Sequence, residues 1–254
     1  MRSDTPGVRL GIVTYRIAEG WDLETLIRNS EELGLASVEL RTTHSHGVEP
    51  TLSKAERAEV RRRFASSPVE LWCLGSICQY HDADPAEVRK NVEETKRWIA
   101  LARDVGAVGV KVRPNGVPPA EAGVPLARTL EQVGAALGEC AAAADDEGVK
   151  LWCEVHGRTT AEPANMRRIL EIGGHPNLGA AWNCNHTDLI DGDVRPGFDL
   201  LKDWISYVHL HDLTEDYRYP YRDLFELLAA EGFAGPMLAE IGASSDPLRL
   251  MRYF

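Results

Sequence analysis

The sequence predicts an α/β protein that folds as a single (β/α)8 barrel, and three observations support this fold class. Short apolar segments rich in Val, Leu and Ile recur along the whole chain, as expected of buried parallel strands. Helical stretches lie between them, and several end in a glycine shortly before the next apolar segment, as at Gly34, Gly106, Gly148 and Gly232. The length of 254 residues fits one complete barrel of this type.

Eight strands are predicted, each a short apolar run with turn signals on both sides. They cover residues 8–15, 36–41, 69–76, 107–113, 149–156, 178–184, 206–211 and 236–241.

The helix over residues 85–105 has the clearest sequence signals. Asp84 can cap its first turn, Pro85 suits the first helical position, and Glu87 completes a capping box. Its apolar residues recur at helical spacing and so form one face. The same criteria predict helices over 22–33, 53–65, 125–146, 163–172, 197–204, 221–231 and 246–254.

No linker or low-complexity segment divides the chain, so residues 1–254 are expected to form one TIM barrel with a short last helix. A doubly wound open sheet is the alternative architecture. It has less support, because no G-x-G-x-x-G motif follows the first predicted strand.

Composition and charge argue against several classes of protein. The chain has 28 Lys and Arg against 39 Asp and Glu, a net charge of −11, which argues against a nucleic-acid partner. No apolar run approaches the roughly 20 residues that span a membrane, and the first residues lack the apolar stretch of a signal peptide. The 5 cysteines include no C-x-x-C pair, so we expect no disulfide framework or thiolate zinc site, and a reducing, cytoplasmic setting.

Polar residues fall on the inner face of several predicted strands. Strand side chains alternate, so Val38 and Leu40 would face the helices while Glu39 and Arg41 would face the barrel interior. The same alternation directs inward Lys111, Arg113, Glu154, His156, His209, His211 and Glu240. Glu39 with Arg41 or Lys111 could form a purely structural ion pair. The whole set, however, gathers near the carboxyl ends of the strands, where barrel enzymes carry their active sites.

Four of these polar residues form a set of hard ligands. Glu154, Asn183, His209 and Glu240 would offer carboxylate, amide and imidazole donors that suit one divalent ion, Mn²⁺, Mg²⁺, Co²⁺ or Zn²⁺. Positive groups for substrate oxygens or a developing enolate would come from Arg41, Lys111 and Arg113. Further acids, bases or hydrogen-bonding groups would come from His44, His156, His186 and His211.

The sequence resembles the xylose isomerase-like barrel superfamily over nearly its whole length. The residues that carry the resemblance are Cys153-Glu154-Val155-His156, Trp182-Asn183-Cys184-Asn185-His186, Val208-His209-Leu210-His211-Asp212 and Ala239-Glu240-Ile241. In the epimerase branch of that family, Glu, Asp, His and Glu bind one divalent ion. The resemblance therefore implies Glu154, the position of Asn183, His209 and Glu240 as ligands, with Glu154 and Glu240 also transferring the proton. It further implies that His186 contacts a substrate oxygen.

The sequence departs from that family pattern at two places. Asn183 stands where the epimerases carry Asp, which removes one negative charge, and the ligand set could instead include His156 or His211. The segment 217–222 is aromatic and basic where the family often has glycines, and its Arg218 could contact a sugar or close the pocket.

These features predict a metal-dependent sugar isomerase or epimerase that acts through an enediolate on a small sugar or polyol ketone. A lyase or dehydratase acting on a keto-sugar, an inosose or a 3-keto-glycoside is the first alternative, because it needs the same metal and base. A barrel that binds a sugar without catalysis is the second alternative, with Asn183 marking a decayed site. Hydrolysis of damaged DNA is disfavoured by the net charge of −11 and the single ligand quartet. The expected partner is a small carbohydrate, and by analogy with the family we expect a homo-oligomer.

Overall fold

The structure, a computed structural model, describes residues 8–211 and 219–254. Eight parallel strands close into one barrel in chain order, with β1 paired to both β2 and β8. The strands are β1 (Arg9–Val13), β2 (Ser37–Arg41), β3 (Glu70–Gly75), β4 (Gly109–Val112), β5 (Lys150–Glu154), β6 (Leu178–Trp182), β7 (Ile205–Leu210) and β8 (Pro236–Ala239). The predicted fold class is therefore confirmed.

A helix follows each strand. These helices are α1 (Leu23–Glu32), α2 (Lys54–Ala65), α3 (Pro85–Val105), α4 (Leu126–Asp146), α5 (Pro163–Gly173), α6 (Arg195–Leu201), α7 (Tyr221–Ala230) and α8 (Pro247–Tyr253). Helix α3 begins and ends at the predicted residues because Asp84 caps it by accepting from the Ala86 amide and Gly106 ends it in the left-handed conformation. Helix α8 is short, as predicted. No helix in the described part of the chain is long and apolar enough to cross a membrane.

Several strands end earlier than the sequence pattern predicts. β4 ends at Val112 and β5 at Glu154, so Arg113 and His156 belong to the loops that follow these strands. The same holds for Asn183 after β6 and Glu240 after β8. Each of these side chains lies at the carboxyl-terminal rim of the barrel, where the loops are free to diverge from strand geometry.

The lower barrel interior is filled by a packed layer of side chains. It consists of Val13, Cys73, Trp152, Ala181, Tyr207 and Leu238, all nearly or fully buried. Trp152 stacks on Trp72 with ring centroids 5.1 Å apart. Gly109 makes room for Trp152, because a Cβ at that position would overlap the indole and lie 2.8 Å from the Lys150 carbonyl oxygen. This layer closes the barrel beneath the polar rim, so the polar rim opens only toward the carboxyl-terminal face.

The five cysteines are buried, and none of them is joined in a disulfide. They act as small side chains of the core.

Candidate metal centre and substrate pocket

Four polar side chains converge at the centre of the carboxyl-terminal rim. Glu154 is the last residue of β5 and His209 lies near the end of β7. Asn183 and Glu240 are the first residues after β6 and β8. One donor atom from each of Glu154, His209 and Glu240 lies within 4.8 Å of the others. The structure thus brings together the quartet that the sequence predicts.

The Nδ1 atom of His209 is the point on which this quartet converges. It lies 3.2 Å from Asn183 Oδ1, 3.4 Å from Glu240 Oε2 and 3.7 Å from Glu154 Oε1. His209 is fully buried, so its ring cannot turn toward solvent. Three oxygen atoms therefore surround one buried imidazole nitrogen.

The other ring nitrogen of His209 is held by Glu39. Nε2 lies 2.9 Å from Glu39 Oε2, which also accepts a hydrogen bond of 2.8 Å from the Tyr207 hydroxyl. A carboxylate in this position keeps the proton on Nε2 and leaves the Nδ1 lone pair for a ligand. Glu39, anchored by Tyr207, therefore sets both the ring orientation and the tautomer of His209.

Lys111 links the two carboxylates that flank the centre. Its ammonium lies 2.7 Å from Glu154 Oε2 and 3.3 Å from Glu39 Oε1, and all three side chains are almost fully buried. Glu154 therefore directs one oxygen toward His209 and the other toward Lys111. The structural pairing of Glu39 with Lys111, one of the two alternatives left open by the sequence, is present.

The charges of the cluster shift the pKa values of its own members. Burial opposes ionisation of Glu154, but the Lys111 ammonium outweighs it and holds the Glu154 pKa well below its usual range. Burial opposes protonation of His209, but Glu39 and Glu240 outweigh it and raise the His209 pKa. The carboxylates therefore stay ionised at neutral pH, and each is available as an anionic ligand.

The donor set fits a divalent cation. Ligands about 2.1 Å from an ion in tetrahedral or octahedral geometry lie about 3.0–3.4 Å from each other, close to the separations around His209 Nδ1. The cluster holds three carboxylates, of which Glu39 and Glu154 pair with the ammonium of Lys111 and the half-buried Glu240 lies beside His209. A cation bound to Nδ1 would displace the proton that the raised pKa of His209 favours. With His209 then neutral, the cluster carries two uncompensated negative charges, which one divalent cation would neutralise.

A pocket of about 310 Å³ opens above this centre. Its lining comes from the carboxyl-terminal ends of all eight strands and the loops that follow them. The lining residues are Tyr15, Arg41, Ser76, Lys111, Arg113, Glu154, His156, Asn183, Asn185, His211 and Glu240. The pocket is polar and small, as suits a hydrophilic ligand of low molecular mass.

Most of the predicted substrate-binding residues line the pocket: Arg41, Lys111, Arg113, His156 and His211. His211 Nε2 lies 3.6 Å from Glu240 Oε2, so it also borders the metal centre. Two predicted residues are not among those lining the pocket. His44 contacts Thr14 at 3.2 Å, and His186 is exposed in a short 3₁₀ helix (His186–Asp188). Arg218 lies outside the described residues.

The sequence assigned no role to several contributors to the site, among them Ser76, which lines the pocket after β3. Tyr207 lies on the inner face of β7 by simple alternation, and that signal was available. Tyr15 and Asn185 line the pocket from loops after β1 and β6, and loop side chains carry no such periodic signal.

The fold and the centre together define a (β/α)8 barrel with a rim cluster of carboxylate, amide and imidazole donors. A family model for the xylose isomerase-like TIM barrel matches residues 27–252, and the chain belongs to that family. No curated protein sequence matches the chain.

Solved structures share the fold at low sequence identity. D-psicose 3-epimerase with D-tagatose, from Clostridium cellulolyticum H10, has a TM-score of 0.81 at 13% identity, covering 97% of this chain and 96% of that chain. The 3-keto-D-glucoside 4-epimerase YcjR from E. coli has a TM-score of 0.78 at 15% identity and 97% coverage of both chains. The IOLI protein, with a binding zinc atom, has a TM-score of 0.75 at 15% identity, covering 97% and 96%. At these identities the likeness shows a common fold.

Proposed function

We propose that the protein is a divalent-metal-dependent isomerase or epimerase of a small keto-sugar. The observation that carries this proposal is the convergence of Asn183, Glu154 and Glu240 on His209 Nδ1. Epimerases and a zinc-containing protein among the structures of the same fold support it.

The four converging side chains would hold the cation, with Glu39 fixing the ligating tautomer of His209. A divalent cation held there supplies polarisation of adjacent carbonyl and hydroxyl oxygens of a sugar. Asn183 would ligate through its amide oxygen, which lies nearest to His209 Nδ1. Its side chain adds no charge, so the anionic ligands of the centre are Glu154 and Glu240.

The two glutamates would transfer the proton. One carboxylate accepts the proton from the hydroxyl-bearing carbon beside the carbonyl. The C–H electron pair then forms a C=C bond and the carbonyl π pair moves to oxygen, which gives an enediolate. The other carboxylate returns a proton, to the opposite face for epimerisation or to the neighbouring carbon for isomerisation. Glu154 and Glu240 reach the pocket from β5 and β8, which two other strands separate, so they approach a bound sugar from different sides.

Lys111 would assist the proton transfer through its positive charge. Its ammonium keeps Glu154 ionised and lines the pocket, where it can stabilise negative charge on a substrate oxygen. The lining of the pocket is mostly polar. His156, Asn185 and His211 would form hydrogen bonds with hydroxyl groups of the substrate.

Proton exchange with heavy water tests this proposal. The protein with added Mn²⁺ is incubated in deuterium oxide with a panel of ketoses, inososes and 3-keto-glycosides, and carbon and proton NMR follow deuterium at carbon. We expect exchange in at least one sugar, lost in Glu240→Gln and Glu154→Gln but retained in Glu171→Gln, which removes a surface pair with Arg167.

Two outcomes would contradict the proposal. Exchange that survives replacement of both glutamates would remove them from proton transfer. A product that absorbs in the ultraviolet as a conjugated enone would identify the lyase alternative, since loss of a β-oxygen from a ketone creates that chromophore.

A further inference from the structure

Two guanidinium groups of the pocket have no acidic partner in the described part of the chain. Lys111 is paired with both Glu39 and Glu154. Arg41 and Arg113, by contrast, form no ion pair with any residue in 8–211 or 219–254, although both line the same pocket. The Nε atom of Arg113 is buried and has no hydrogen-bond partner within these ranges. A buried donor without a partner costs free energy unless a ligand satisfies it.

Both arginines are held at the rim by specific contacts. The Arg41 guanidinium lies over the Tyr15 ring, 4.8 Å from its centroid, and the Arg41 amide donates to Thr14 Oγ1 at 2.9 Å. The Arg113 amide donates to the Cys78 carbonyl at 3.1 Å. The Arg41 side chain is therefore placed before a ligand arrives, which lowers the entropic cost of binding, and the backbone of Arg113 is fixed at the rim.

The position of the arginines separates them from the metal centre. Arg41 ends β2 and Arg113 follows β4, with only β3 between these strands in the barrel. The quartet around His209 comes from β5 to β8. One side of the pocket thus presents two guanidinium groups, and the other side presents the candidate metal ligands.

Among the described residues, the pocket has an excess of positive charge that a neutral sugar would not compensate. A divalent cation would neutralise the cluster of Glu39, Glu154, Glu240 and Lys111. Arg41 and Arg113 then remain as two positive charges in a half-enclosed space of about 310 Å³. Guanidinium groups bind carboxylate and phosphate oxygens in pairs of parallel hydrogen bonds.

We propose that the substrate is an acidic keto-sugar, whose carboxylate or phosphate binds Arg41 and Arg113 while its carbonyl end faces Glu154 and Glu240. The proposal rests on the proposed isomerase or epimerase function and adds the class of sugar. The volume of the pocket is at the small end for ligand sites, which suits a substrate of about six carbons.

Matched pairs of sugars test this proposal by binding alone. Isothermal titration calorimetry compares D-fructuronate with D-fructose and D-tagaturonate with D-tagatose, on the protein with and without Mn²⁺. D-fructose 6-phosphate forms a third arm that distinguishes phosphate from carboxylate. We expect at least one acidic sugar to bind about 10-fold or more tightly than its neutral counterpart, and the difference to shrink with added salt.

Variants of the two arginines assign the effect. Arg113→Gln and Arg41→Gln are each expected to weaken binding of the acidic sugar by about 10- to 100-fold while changing that of the neutral sugar by less than about 3-fold. Arg113→Lys keeps the charge and should retain part of the affinity. Arg97→Gln is the matched control, because Arg97 forms an exposed ion pair with Glu94 on the surface of α3, away from the pocket. Retained Mn²⁺ binding verifies that each variant is folded.

The proposal is overturned if no acidic sugar binds, or if each neutral sugar binds as tightly as its acidic counterpart. Failure of the proposed function looks different. Tight, arginine-dependent binding of an acidic sugar without deuterium exchange in any sugar would support the acidic ligand and refute the proton transfer. Deuterium exchange in neutral sugars, with no tighter binding of acidic sugars, would support the proton transfer and refute the acidic ligand.

Discussion

Replacement of Lys111 by methionine removes the cation that separates two buried carboxylates. The ammonium lies 2.7 Å from Glu154 and 3.3 Å from Glu39, and no more than 4% of any of the three side chains is exposed. Methionine nearly matches the length of the lysine stem, so the change removes charge with little loss of packing. Glu39 and Glu154 are then left as buried anions without their shared partner.

The magnitude follows from this burial. Removal of one partner of a buried ion pair costs about 3–5 kcal/mol, because the remaining charge stays desolvated. For a chain of this size, 1 kcal/mol shifts the melting temperature by about 2–4 °C, so we expect a loss of about 6–20 °C. The matched control is Lys202→Met, which breaks an exposed pair with Glu231 and should cost less than about 1 kcal/mol.

The pH dependence has a defined sign. In the native protein the lowered pKa of Glu39 and Glu154 stabilises the fold above about pH 4.5, and this contribution is lost as the pH falls. Without Lys111 the carboxylates repel each other, and the pKa of one of them rises above its value in the unfolded chain. The destabilisation by Lys111→Met should therefore be larger at about pH 8 than at about pH 5.

Urea denaturation followed by circular dichroism, with EDTA present, measures the free energy of unfolding at both pH values. EDTA is needed because a bound cation would replace part of the lost charge. A loss below about 1 kcal/mol at pH 8, or an equal loss at both pH values, would refute the reasoning that Lys111 neutralises buried carboxylates.

Three further predictions concern the metal centre, a buried acid and a close contact. Mn²⁺ or Zn²⁺ at 100 times its dissociation constant should stabilise the protein by about 2.7 kcal/mol in a thermal melt, and His209→Gln should abolish this shift. Burial raises the pKa of Asp188 to about 8. Between about pH 4 and pH 8 this carboxyl group is therefore ionised in the unfolded chain but still protonated in the folded protein, so the free energy of unfolding should fall as the pH rises. Asp188→Asn should reduce this pH dependence in urea titrations at several pH values. Gly109→Ala should lower the melting temperature, because its Cβ would overlap the Trp152 ring and lie 2.8 Å from the Lys150 carbonyl oxygen. Gly20→Ala, with nothing within 4 Å of its Cβ, should not.

The strand pattern made the inner face of the barrel predictable. Val38 and Leu40 flank Glu39, and this alternation alone places the carboxylate inside the barrel, where it binds His209. The positions of Glu154 and His209 follow from the same rule. Parallel strands bring their carboxyl ends together, so convergence of these residues needed only the order of the strands.

The finer geometry of the centre was not predictable. The choice of Nδ1 as the inward nitrogen of His209 depends on Glu39, which is 170 residues away in sequence and comes from a strand that is not a neighbour of β7. The alternation also ends where a strand ends. His44 and His186 lie in loops, whose backbone turns set side-chain direction, and neither is among the residues lining the pocket.

The aromatic layer beneath the pocket allows tryptophan fluorescence to report on the metal centre. Trp152 is stacked on Trp72 and contacts the Tyr207 ring at a centroid distance of 5.1 Å. The Tyr207 hydroxyl donates to Glu39, which in turn holds His209. A change of charge at His209 therefore reaches an emitting indole through only two intervening side chains. Indole fluorescence of the unlabelled protein should accordingly follow titration with Zn²⁺, an ion that has no colour of its own.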